Sequence, residues 1–302
     1  MTPGVLKQLI YYYPARWLSM ALPVSHIAAL GRLLAAFEYA TTRPSTRRRL
    51  QQNIARALDL PASSTQVKSI SRQVVLNYVW DQLEFGIANR LRDSNPAQFL
   101  QIVGFEPVQK ALDRGFGVVI AGGHLATFEL IAAAFAWNGF QTGLIVPGET
   151  RRDRVSGLGR KLVARFRGQC QKEHLAYSSI YTGGALQQAV DMVDQGGIVV
   201  MGVDYAPAAE ARTCSFLAQS QPVPSGAARI AIEGQAALFL ARLERIQFGQ
   251  NRLTLTPVNV IRSSDPDADV LRVARTLAEG YESYVRANPA QWAWLMWQHL
   301  NR

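Results

Sequence analysis

The residues best suited to proton transfer are His124 and Glu129, in Gly122-Gly123-His124-Leu125-Ala126-Thr127-Phe128-Glu129-Leu130. A carboxylate bonded to one imidazole nitrogen fixes the tautomer and stabilises the imidazolium that forms on proton uptake. The other nitrogen can then take a proton from an attacking hydroxyl or amine. Residues five apart on a continuous helix diverge by roughly 140°, so the pair meets only if His124 stands on a non-helical turn. The two glycines before it permit such a turn and leave room for a ligand to approach the backbone. On spacing alone, a helix-capping histidine and a solvated glutamate fit equally well. No serine or cysteine nucleophile has a recognisable setting: there is no Gly-x-Ser-x-Gly, and neither Cys170 nor Cys214 neighbours a histidine. Direct transfer to an external acceptor is therefore favoured over a covalent enzyme intermediate.

Such a turn needs a strand before it and a helix after it. Phe116 to Ala121 is a short apolar run punctuated by glycine, as expected of a buried strand. Further strands are expected at Thr142–Val146, Ile198–Val203, Ala236–Ala241 and Leu253–Val260, with helical segments at 125–138, 154–167, 183–195 and 225–234. This alternation predicts an α/β fold with a mainly parallel central sheet flanked by helices. Ligands then bind beyond the carboxyl ends of the strands. The chain before residue 100 reads as helical, with helices from about Arg47 to Leu58 and from about residue 65 to Asn89.

Composition limits the partners. The 302 residues carry 32 basic against 22 acidic side chains, a net charge of +10, with arginine outnumbering lysine 27 to 5. A disordered tail, a fibrous repeat and a disulfide-stapled miniprotein are excluded. Two cysteines without metal-type spacing fit a reducing compartment. The charge favours a polyanion, whether nucleic acid, an anionic membrane or an acidic carrier protein, although no nucleic-acid motif is present.

The N-terminal region, residues 1–45, is expected to form amphipathic helices that associate with a membrane, ahead of a single α/β domain over 46–302. Residues 5–39 combine apolar stretches with an aromatic cluster, Tyr11, Tyr12, Tyr13 and Trp17, suited to a membrane interface. Pro23, His26 and Arg32 interrupt the longest apolar stretch, so a spanning helix is not expected. A helical hairpin packed on the protein body is the alternative.

The His-x4-acid pattern after a glycine-bounded strand resembles the lysophospholipid acyltransferase superfamily. More of the chain resembles one branch, the bacterial lipid A biosynthesis late acyltransferases. Val103-Gly104-Phe105-Glu106 is similar to their V-x-G-x-E segment, and Gly122-Gly123-His124 to Glu129-Leu130 to their G-H-x-x-x-x-E-L block. Gly197 to Asp204 resembles a later strand ending in an acidic position. Pro289-Ala290-Gln291-Trp292-Ala293-Trp294 resembles the P-x-Q-W-x-W signature, which is highly specific. The likeness spans about residues 10–302.

The resemblance implies transfer of a fatty acyl chain, commonly from acyl carrier protein, to a hydroxyl of a glycolipid at the cytoplasmic face of the inner membrane. The protein would be peripheral or monotopic there, against an anionic lipid surface, with no metal or redox cofactor and no nucleic-acid partner. His124 would be the general base and Glu129 its orienting partner. Arg151, Arg165 and Arg167 fall where substrate-binding arginines are expected, each with a solvated helix face as its alternative. Asp204 could orient the acceptor or pair with one of these arginines, a structural salt bridge being equally consistent. Three segments depart from the family pattern: Asp204-Tyr205, Phe216-Leu217-Ala218-Gln219, and the ending after Trp297. They leave the acceptor open between lipid A and another acceptor, such as a specialised lipid or a pigment-like product. A noncatalytic lipid-binding protein is the remaining alternative, and it would leave the His124/Glu129 pair without a role.

Overall fold

The computed structural model describes residue 6 and residues 9–146, 158–204, 213–217, 219–222 and 224–292. Among them, strands β1 (Leu100–Val103), β2 (Val118–Gly122), β3 (Thr142–Val146), β4 (Ser178–Tyr181), β5 (Ile198–Gly202), β8 (Ala237–Gln247) and β9 (Gln250–Val258) form one sheet in the order β1-β9-β8-β2-β5-β3-β4. Its neighbours are parallel except β8 and β9, which are antiparallel. β6 (Thr213–Phe216) and β7 (Gln219–Pro222) pair as a separate antiparallel hairpin. The sheet is thus mainly parallel, as the alternation predicts. β2 lies between β5 and β8 and is buried at every residue, which is why it reads as an unbroken apolar run.

The helices begin where the sequence provides caps. Ser64 accepts a hydrogen bond from the Val67 N–H at 3.2 Å and opens the helix Thr65–Ser94. Asp265 accepts one from Ala268, followed by a first-turn proline, and opens the helix Pro266–Ala287. The helix expected from Arg47 starts instead at Pro44. Proline stands at its start, where the missing N–H costs nothing. The helix expected over 125–138 spans only Glu129–Ala136, because His124 to Phe128 form a non-helical turn.

The N-terminal helices join the body. Ile27 is fully buried and Gly31 lies against the Trp80 ring on the helix Thr65–Ser94. Arg16 donates to the Gly86 carbonyl at 3.0 Å and stacks over Phe166. The aromatic cluster does not act as one belt. Tyr11 is buried and donates to Glu38, Tyr13 is half-buried against Phe166, and Trp17 is 63% exposed. The side chain of Tyr12 lies outside the described residues. Local helix periodicity separates them, turning Tyr11 inward and Trp17 outward. Among the described residues no helix is long and apolar enough to cross a membrane.

Candidate active site

The carboxyl ends of β2 and β5 carry the two groups that meet. The register sets Gly122 beside Gly202, and the Val203 N–H donates to the Gly122 carbonyl at 2.7 Å. Two residues beyond each glycine stand His124 and Asp204. His124 Nδ1 lies 2.9 Å from Asp204 Oδ1, and the His124 backbone N–H donates to Oδ2 at 2.7 Å. The Trp292 indole N–H donates to the same Oδ2 at 2.9 Å. A carboxylate can only accept here, so Nδ1 carries the hydrogen and Nε2 carries the lone pair.

Asp204 is buried and His124 partly exposed. Burial opposes the imidazolium, yet the charge and hydrogen bond of Asp204, with the Glu129 charge behind them, outweigh it and raise the His124 pKa above its ordinary value. Burial likewise opposes the Asp204 carboxylate, but His124 and the Trp292 N–H pull it below the usual carboxylate range. The pair therefore favours a proton on the imidazole over one on the carboxyl.

Glu129 does not orient the ring as the spacing suggested. Its carboxylate pairs with Arg167 at 2.7 Å and reaches His124 through charge alone. The reason is the turn: it places His124 at the end of β5, and Glu129 opens the next helix toward the helix Leu158–Cys170, which carries Arg167. The Arg167 guanidinium also stacks over Phe85, 4.7 Å from the ring centre. Arg165 is exposed on the same helix, and Arg151 lies outside the described residues. Asp204, expected to face an acceptor or an arginine, is instead the imidazole's partner.

The room beside Gly123 goes to the protein rather than to a ligand. A Cβ there would collide with the Tyr281 ring, which is fully buried and stacks on Phe216 with centroids 6.4 Å apart. Burial, then the Asp204 charge, hold the Tyr281 phenol well above its usual range.

Behind the turn lies a charged cluster that sequence reading misses altogether. Arg245, near the end of β8 and 4% exposed, binds Glu84 through Nε at 3.1 Å and Nη2 at 2.8 Å, and also binds Asp81, Asn77 and Thr127. Glu84 further accepts from Thr127 and from the Gly249 N–H. Burial pushes the Asp81 carboxyl up to about 7 against the pull of Arg245. The sequence signal is faint: Asn77, Asp81 and Glu84 recur at helical spacing on a helix that carries other polar residues as well.

A buried acid–imidazole pair at the carboxyl ends of adjacent parallel strands defines an α/β enzyme equipped for general-base chemistry. The chain belongs to the bacterial lipid A biosynthesis acyltransferase family, whose model matches residues 7–301. It is thus a lipid acyltransferase. No curated protein matches the chain.

Proposed function

We propose that the protein moves a fatty acyl chain from an acyl carrier protein thioester to a hydroxyl of a lipid A-type glycolipid, with His124 as general base. Nε2 takes the hydroxyl proton as the acceptor oxygen attacks the thioester carbonyl, giving a tetrahedral oxyanion. The carbon–sulfur bond then breaks, the carbonyl reforms, and the imidazolium returns its proton to the departing thiolate. The observation that carries this reading is the hydrogen bond between His124 Nδ1 and the buried Asp204, which leaves the reactive lone pair on Nε2. Arg167, steadied by Glu129, and Arg165 on the same helix are the cations proposed to offset charge on the substrates; Arg151 is kept as a further substrate-binding arginine on the resemblance alone. The surplus of basic residues suits an acidic carrier protein as donor.

The test is incubation of the purified protein with acyl carrier protein thioesters and an under-acylated lipid A precursor, followed by mass spectrometry. One added acyl chain on the precursor is the expected result, and an unmodified precursor alongside an acylated different lipid would transfer the chemistry to another acceptor.

Association with the cytoplasmic face of the inner membrane is part of the proposal. Leu33 and Phe37, 71% and 69% exposed and one helical turn apart, share a helix with Arg32, and Trp17 and Leu18 are exposed on the short helix Arg16–Ala21 before it. Arg32 and Arg72 line a groove beside them with Tyr39. Apolar side chains beside cations fit an anionic lipid surface. The double substitution Leu33→Ser/Phe37→Ser is expected to weaken sedimentation with phosphatidylglycerol-containing vesicles by at least about tenfold, since burying two such side chains is worth several kcal/mol. Unchanged sedimentation would remove this face from the reading.

A further inference from the structure

The turn Pro289–Gln291 and the Trp292 that follows it reach both halves of the His124–Asp204 pair. Gln291 uses its amide from both ends on one residue of β8: Oε1 accepts from the Arg245 N–H at 2.9 Å, and Nε2 donates to the Arg245 carbonyl at 2.8 Å. This fixes the turn against the strand as a further backbone pairing would. From there the Gln291 carbonyl accepts the Ala126 N–H at 3.0 Å, two residues beyond His124. Ala126 has φ +49°, a left-handed conformation that side-chain-bearing residues adopt at a cost, and this bond helps to hold it. One residue further on, buried Trp292 donates to Asp204 Oδ2, its ring set edge-on against Phe216 at 5.9 Å.

We propose that Gln291 and Trp292 are positioning residues of the transfer site: Gln291 fixes the turn that carries His124, and Trp292 holds the Asp204 carboxylate in the one rotation that presents Oδ1 to Nδ1. Neither touches a reacting atom. The inference rests on His124 acting as the base with Asp204 as its partner. Two donors on Oδ2 leave Oδ1 for the imidazole; without the indole N–H, Oδ2 keeps the His124 backbone N–H, and the carboxylate, beside the buried Tyr281 phenol, is held less firmly. The Trp292 N–H also draws charge away from the carboxylate. Its loss would concentrate that charge on the carboxylate facing the imidazolium, so His124 would hold its proton to higher pH.

The decisive experiment places benzothienylalanine at position 292, which replaces the indole N–H by sulfur and keeps the ring's shape, with Trp292→Phe as a second variant. Both are also made in the Asp204→Asn background. The expected result is a fall in kcat of about ten- to a hundredfold, the worth of a hydrogen bond to a charged group. KM should stay within about twofold, and the acid limb of the kcat/KM profile should move to higher pH. In the Asp204→Asn background the same change should cost no more than about a further twofold, because both act through one carboxylate. A wild-type profile in the benzothienyl variant, while Asp204→Asn alone is inactive, would overturn the positioning role and leave the base assignment intact. A loss of kcat without a pH shift, additive with Asp204→Asn, would reduce Trp292 to packing and also overturn it. Full activity in Asp204→Asn alone would show that some other group orients His124 and would remove the inference, whereas full activity in His124→Ala would remove the base assignment itself.

Discussion

Asp204→Asn is expected to lower kcat/KM for acyl transfer by about 10³- to 10⁴-fold, the scale seen when an orienting aspartate of a histidine base becomes an amide. The geometry explains why an isostere should be so damaging. The His124 backbone N–H and the Trp292 indole N–H both point at Oδ2, so the asparagine carbonyl must occupy that position. Its NH2 group then faces Nδ1 and donates to it. The imidazole is forced into the tautomer with hydrogen on Nε2, and the lone pair that should accept the acceptor's proton is gone. Residual activity should have its acid limb at lower pH, because His124 has lost the carboxylate that raises its pKa. Nitrogen-15 shifts of the labelled imidazole report the tautomer directly. Glu129→Gln leaves the Nδ1 bond in place and should not reproduce that tautomer change. Retention of activity within about fivefold in Asp204→Asn would show that some other group orients the ring.

The largest expected effect on stability is at Arg245. In Arg245→Met the carboxylates of Asp81 and Glu84 lose the cation between them while remaining buried. Breaking a buried pair by removing one partner costs about 3–5 kcal/mol, and Asn77 and Thr127 lose a donor as well. The pH dependence has a definite sign. Without the cation, the folded-state pKa of Asp81, already pushed up by burial, rises further above its unfolded value, so the folded protein binds more protons than the unfolded chain. Stability must then fall as pH rises through that window. Urea unfolding should show a greater loss at pH 8 than at pH 5. A loss below about 1 kcal/mol at pH 8 would mean that the cluster is solvated or that its neighbours close over it. Because Thr127 follows His124 by three residues, acyl transfer should fall in parallel.

Much of this protein is set by local chemistry that the chain displays openly. Glycine-punctuated apolar runs give β2 and β5, serine and aspartate caps open the long helices, and the glycine pair predicts a non-helical turn at His124. The Gln291-Trp292 signature could be recognised from residue order, but not what it does. The interval between His124 and Glu129 suggested a dyad because short sequence separation is the only proximity a sequence displays. Tertiary structure chose otherwise. Parallel pairing of β2 with β5 at the register Gly122 to Gly202 brings residues 80 positions apart within one hydrogen bond, while the following turn sends Glu129 to Arg167. The Arg245 cluster was hidden for the same reason, since its charges come from a helix and a strand more than 160 residues apart. Helix and strand periodicity determine which face of an element is apolar; which elements become neighbours, and so which charges meet in the interior, depends on how those faces pack.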